Sequence, residues 1–236
     1  MSALSPVWLA TLLTTVVAAS GLCLLARRWP GRPSSVANGA LALVLLAVTA
    51  AWLATNLGGG HFSAATSLPF ALCDLVTIVA AGALVTRERH LVELTYFWGL
   101  AGSLQSLLTP DLNVAFPRLE FFEYVLAHAG IVCAALLLVV GERIRPGRRA
   151  VGRVFLITLG YTALVGVVDW VTGGNYMYLR RPPGSWSLLK VLGPWPWYIA
   201  SAAGVAIVLF SLLELPFRLS PAASPRPRRQ PRSRPA

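Results

Sequence analysis

Charge is scarce in this sequence. Asp and Glu number nine and Lys and Arg twenty, together 12% of the 236 residues. A soluble domain carries about 25% charged residues, so an ordinary water-facing surface is excluded. Lysine is nearly missing, since nineteen of the twenty basic residues are Arg, a bias of composition rather than of mechanism. Metal-ligand spacing is scarce too: no HxxxH or CxxC pattern occurs, and no metal is expected. No cofactor signature, no CoA-binding signature and no internal repeat is legible, so no cofactor is expected.

Long apolar runs fill the space instead. Hydrophobic residues make up 56% of the chain, and mean hydropathy is +0.66. Seven apolar stretches lie near 7–26, 36–57, 68–86, 91–108, 121–141, 153–171 and 195–217. Each has the roughly 17–23 residues that an α-helix needs to cross a hydrocarbon core. The expected fold is all-α: a multi-pass membrane protein with seven transmembrane helices in a single domain over 1–217. A basic cytoplasmic tail over 218–236, rich in Pro, Ser and Arg, is expected to be disordered.

The net charge of +11 would point to nucleic acid in a soluble protein. Its placement points to a membrane surface, so lipids are the expected partners and nucleic acid is not. With the N-terminus outside, sixteen of the twenty basic residues fall on the cytoplasmic side. That asymmetry predicts an N-out, C-in protein of the cell membrane. Met1–Pro6 carries no positive charge, so the first span is expected to be retained rather than cleaved as a signal peptide. Cys23, Cys73 and Cys133 then sit near the inner face, near the outer face and deep in the membrane, which forbids a disulfide framework.

Polar residues inside the spans gather at one depth. Asn56, Cys73, Asp74, Gln105, Glu120, Glu123, His128 and Asp169 all fall in the outer third, with Asp111 in the adjacent Thr109-Pro110-Asp111 turn. Polar groups in spans usually face a bundle interior or cavity, so one outward-opening polar cavity is expected. Cys73 and His128 carry the chemistry there. A thiolate is a good nucleophile, and a neutral imidazole can take its proton and later return it. Cys73 follows Leu68-Pro69-Phe70 and so falls early in its helix, where the positive end of the dipole favours a thiolate. Asp74 opposes a second negative charge beside it and could instead orient His128. The plainer readings stay open: a lone Cys in an apolar helix is usually a small core residue, and a lone His is often only hydrogen-bonded.

The longest connection, 172–194, holds Asn175-Tyr176-Met177-Tyr178-Leu179-Arg180-Arg181-Pro182-Pro183 and leads into Gly193-Pro194-Trp195-Pro196-Trp197-Tyr198. The second cluster suits an interfacial aromatic belt at a helix entry. These two segments, together with Leu68-Pro69-Phe70-Ala71-Leu72-Cys73-Asp74-Leu75 and Tyr96-Phe97-Trp98-Gly99-Leu100-Ala101-Gly102-Ser103-Leu104-Gln105 ahead of Thr109-Pro110-Asp111, carry a resemblance. Over roughly 36–217 the chain resembles the bacterial YwaF/TP0381-type integral membrane family, related to the eukaryotic transmembrane protein 164 family.

That resemblance implies a phospholipid acyltransferase or transacylase. Cys73 would be its nucleophile and His128 its general base and acid. Many bacterial relatives carry His just before the Leu-Cys pair, where this chain has Ala71. Under this reading Asp111, Glu123 or Asp169 would orient the imidazole, and Gln105 or Asn175 would donate to an oxyanion. Arg180 and Arg181 would hold a lipid phosphate. The rival reading is a non-catalytic membrane protein: a small transporter, a receptor-like binder or an assembly factor. A transporter predicts polar groups continuing to the inner side, whereas an enzyme predicts a blind site.

Overall fold

The computed structural model describes residues 5–58, 62–110, 112, 114, 116–184 and 187–219. Among them the chain is all-helical, with no strand. Helix α1 spans Pro6–Arg28, with Pro6 in its first turn and Ser5 capping the Trp8 N–H. Helix α2 spans Arg32–Gly58 after a turn at Gly31, whose φ of +99° suits glycine.

Helix α3 spans Leu72–Thr86 and starts four residues later than the apolar run suggests. Pro69 biases its predecessor away from helix, and the chain reaches Ala71 in an extended conformation before turning. At its far end Arg87 takes a left-handed φ of 55°, and Glu88 then caps α4, Arg89–Trp98, by accepting from the Leu91 N–H at 2.9 Å. That bond holds the Glu88 carboxyl below its ordinary range.

The expected fourth span is one rod broken by a π turn. Helix α4 passes through Gly99–Ser103 in π geometry into α5, Leu104–Leu108. Helix α6, Leu119–Leu136, ends in a second π turn, Leu137–Gly141. Helices α7, Ala150–Thr172, and α8, Trp197–Leu219, complete the bundle. Five helical stretches are long and apolar enough to cross a membrane: Pro6–Arg28, Arg32–Gly58, Leu119–Gly141, Ala150–Thr172 and Trp197–Leu219. The other two rods expected as spans are the 15-residue α3 and the interrupted α4–α5. The basic tail beyond Leu219 lies outside the described residues.

Helix α3 packs against α2, α4 and α6 at the centre. The middle of the bundle is dry, filled by Leu45, Val76, Ala80, Leu84, Phe97, Ile131 and Leu138, each at most 1% exposed. Large apolar side chains face outward instead, such as Leu13, Leu43, Leu156 and Trp170. A surface of that kind is ruinous in water and suits lipid. Without a hydrophobic force between helices in lipid, close approach must come from small residues. Gly130 lets α2 lie so close that a Cβ there would come 2.7 Å from Leu45 Cδ2. Gly141 brings α6 onto α1, where a Cβ would stand 3.2 Å from Cys23 Cα.

Carboxylates tie the basic end together. Glu142 accepts from Ser34 Oγ at 2.5 Å, Asn38 Nδ2 at 3.0 Å and Arg87 Nε at 2.7 Å. Burial pushes its carboxyl up, but the bonds from Arg87 and Ser34 and the Arg87 charge outweigh this and hold it below its ordinary range. Glu93, fully buried, accepts from the Gly147 N–H at 2.9 Å and from Arg153 Nε at 3.0 Å.

Candidate functional site

The first turn of α3 sets the site. Ala71 is the N-cap but has no side chain to cap with, and Asp74 supplies half of a capping box by accepting from the Ala71 N–H at 3.0 Å. Cys73 is therefore the second helical residue. Its N–H and that of Leu72 lie where a helix has no acceptor of its own. Cys73 is half-buried, whereas His128 on α6 is buried.

The Cys73 thiol and the His128 imidazole interact directly, and the Asp74 carboxylate acts electrostatically on both. His128 Nδ1 lies 2.7 Å from the Tyr124 carbonyl one turn earlier. A carbonyl only accepts, so Nδ1 carries the proton, and the lone pair of the neutral ring is on Nε2. The Tyr124 ring stacks on the imidazole with centroids 4.1 Å apart and planes 30° from parallel. Tyr124 is in turn fixed by its hydroxyl, which donates to the Ser106 carbonyl at 2.9 Å. The imidazole is thus locked in tautomer and in plane. The π turn delivers a third group: Ser103 is fully buried, its hydroxyl has no conventional hydrogen-bond partner, and the Cys73 sulfur is its polar neighbour.

A strap holds the segment that leads into α3. The Tyr176 hydroxyl accepts from the Leu68 N–H and donates to the Ala64 carbonyl, both at 2.9 Å. Burial pushes the Tyr176 phenol above its ordinary range, so it remains a donor. The Tyr161 hydroxyl donates to the Phe70 carbonyl at 3.1 Å. Asp169 Oδ1 accepts from the Tyr176 N–H at 2.8 Å, and the connection crosses so closely that a Cβ on Gly174 would stand 3.0 Å from both Ala65 O and Asp169 Oδ1.

The model of the TMEM164 family matches residues 3–214. The chain belongs to the TMEM164 family. All four motifs quoted above, and every residue of the site just described, lie within that match. The match carries no bacterial subfamily label. None of the curated proteins and none of the solved structures matches the chain.

In this TMEM164-family chain the structure brings Cys73, Asp74 and His128 together and leaves the other candidates apart. Gln105 is exposed and donates to Thr109 Oγ1 at 3.1 Å. Asn175 is spent within its own loop: Oδ1 accepts from the Arg180 and Arg181 N–H groups at 2.9 and 3.0 Å, and Nδ2 donates to Arg181 O at 2.9 Å. Asp169 holds Tyr176 rather than the imidazole. Glu123 is buried with Oε1 unpartnered, and the charge acting on it is that of Glu120. Arg180 and Arg181 are exposed at the surface of the 173–184 loop, with Arg180 Nη1 near Asp169 O and Gly174 O at 3.5 Å. Asp111 lies outside the described residues. No group of three metal-ligating side chains occurs among the described residues.

Reading the sequence missed Ser103, Tyr161 and Tyr176. Tyr124 is legible, because its spacing puts it on the same helix face as His128, and the structure stacks the two rings. Ser103 had no such signal, because only the π turn brings it to face α3.

Proposed function

We propose that this protein is a seven-span, N-out lipid acyltransferase of the cell membrane, with Cys73 as nucleophile and His128 as base and acid. The observation that carries it is the fixed imidazole: Nδ1–H is committed to the Tyr124 carbonyl, which leaves Nε2 basic and beside a half-buried thiol. His128 Nε2 takes the Cys73 proton while sulfur attacks the ester carbonyl of a phospholipid. The tetrahedral intermediate collapses, the C–O bond breaks, and the departing lysolipid alkoxide takes the proton from Nε2. The acyl group now rests on Cys73 as a thioester. A hydroxyl of a second lipid then attacks it, passes its proton to Nε2, and releases the sulfur, which recovers that proton.

The Leu72 and Cys73 N–H groups, free at the start of α3, are the donors for the oxyanion. Gln105 and Asn175 are engaged elsewhere. Asp74 steadies the imidazolium that forms in each half-reaction. The dry core between this site and the Glu93 and Glu142 carboxylates supports a blind site over a through-path. The arginines clustered at the opposite end of the bundle support a site on the outer side.

The test is acyl exchange by purified protein in liposomes containing a labelled diacyl phospholipid and a lysolipid acceptor. Wild type should exchange, Cys73→Ala should not, and His128→Ala should fall by about 10²–10⁴-fold. Equal exchange by wild type and Cys73→Ala overturns the thioester mechanism. Cys73→Ala that loses only thermal stability, with no lipid product altered, favours the non-catalytic reading.

A further inference from the structure

At the end of the bundle away from Cys73, a pocket of about 490 Å³ opens between the ends of α1, α2, α3 and α6. Its walls carry Arg27, Arg87, Arg143, Glu142, Ser34 and Ser35. The volume is that of a small-molecule site, and the charge is unbalanced. Glu142 pairs with Arg87, which also donates to Ser35 Oγ at 3.1 Å. Two guanidinium groups remain without a carboxylate. Arg27 gives Nε and Nη2 to the Val140 carbonyl, at 3.2 and 3.0 Å, and so is aimed while keeping its full charge. Arg143 makes no hydrogen bond or ion pair among the described residues. It is held with φ at 62°, a conformation that favours glycine, by the Ile144 N–H reaching back to Leu138 O at 3.0 Å. The start of α2, with Ser34 and Ser35 in the wall, carries no acidic side chain in its first turn.

A pocket with two uncompensated guanidinium groups, the Ser35 hydroxyl and a bare helix start is built for a compact oxyanion, the Ser34 hydrogen being committed to Glu142. We propose that it binds a phosphate group, and that it is separate from the Cys73 site and independent of acyl transfer. The phosphate could belong to a phospholipid headgroup or be dissolved in the cytosol, and the chemistry of recognition is shared. The two sites lie at opposite ends of α3, whose fifteen residues span about 22 Å.

The full chain, purified in a neutral detergent, is titrated calorimetrically in two arms, with dioctanoyl phosphatidate and with inorganic phosphate. Arg143→Gly removes the guanidinium while suiting the left-handed backbone, so it folds. Arg27→Gln is the second variant, and Arg148→Gln, exposed and outside the pocket, is the control. The expected result is saturable binding in at least one arm, weakened about tenfold or more by Arg143→Gly or Arg27→Gln and unchanged in the control. Binding of phosphatidate alone assigns the source to the membrane. Binding of both, with the same dependence on Arg143, assigns it to the phosphate group itself. Absence of saturation in both arms overturns the proposal, as does equal weakening in the control. Unchanged affinity in both pocket variants also overturns it and leaves Arg143 as a counter-charge to the end of α6.

Discussion

Tyr176→Phe isolates the strap from everything else in the site. The substitution deletes one oxygen and leaves the ring in its contact with Phe70, whose centroid is 5.9 Å away. The lost hydroxyl accepts from the Leu68 N–H and donates to the Ala64 carbonyl. At about 1 kcal/mol net for each bond, the loss is about 2 kcal/mol, more if either backbone group stays dry and unpaired. With about 1.4 kcal/mol per factor of ten, opening of the segment before α3 should become about 30-fold more frequent. Hydrogen exchange by mass spectrometry in nanodiscs reads this directly. The Leu68 amide should exchange faster by that factor, while amides within 130–136 of α6 should not change. Alkylation of Cys73 should rise with the same dependence, because Ala71 and the start of α3 ride on this segment. An unchanged Leu68 amide would refute the reasoning, and so would uniform acceleration across the bundle, since the hydroxyl would then support the whole fold and not the strap.

Two further outcomes follow from the packing and the charges. Glu142→Gln should destabilise the protein by about 1–2 kcal/mol, less than a sealed ion pair because Arg87 is 36% exposed. The folded Glu142 carboxyl lies below its ordinary value of 4.5, so its contribution is complete above that value and fades as pH falls through the lower folded one. Unfolding curves of wild type and Glu142→Gln should therefore converge only in acid; a gap that widens on acidification would contradict the pairing. Gly141→Ala should cost about 1–3 kcal/mol because its Cβ would press on the Cys23 backbone, whereas Gly130→Ala should cost less because it meets the movable end of Leu45. Thermal unfolding in detergent ranks the two, and the reverse order would mean that α1 is the looser helix.

The sequence made the rods legible and left their faces undetermined. Apolar runs of membrane length coincide with the five helices long and apolar enough to cross, because that signal needs only composition and length. Depth came with them, and it placed Cys73, Gln105, His128 and Asp169 in one layer. Depth is not azimuth, and the structure splits that layer. Cys73 and His128 face each other, Gln105 turns outward, and Asp169 turns to the 173–184 loop. Asn175 reads as a free amide in sequence, but its side chain closes its own loop through three bonds. The start of α3 was readable only in part. Pro69 signals a boundary, yet the capping role of Asp74 is hidden by an Ala at the cap position.

The π turn explains why this site resists reading by periodicity. An α-helix advances 100° per residue, so residues four and seven apart predict a shared face. In Gly99–Ser103 the Leu104 N–H reaches back five residues to the Gly99 carbonyl, and one residue is in effect inserted into the turn. Every later position is rotated relative to the helix before it. The rotation lets one rod serve two surfaces: Gly99 meets Ile131 of α6, Ser103 meets the Cys73 sulfur, and the Leu107 carbonyl accepts from the Trp8 indole on α1 at 2.8 Å. A regular helix through the same residues would satisfy one of those surfaces and turn the others away. Glycines at 99 and 102 ease the local crowding that such a turn brings. Deleting Ala101 should therefore remove the extra residue, let the Leu104 N–H bond Gly99 four residues back, and keep Leu107 facing Trp8 while narrowing the turn that seats Ser103 beside Cys73. The readouts are tryptophan fluorescence, expected to be unchanged, and the rate of Cys73 alkylation, expected to change. If the deletion shifts the fluorescence, the π turn is not a one-residue insertion, and if alkylation is unaltered, the wide turn is not what seats Ser103 against the thiol.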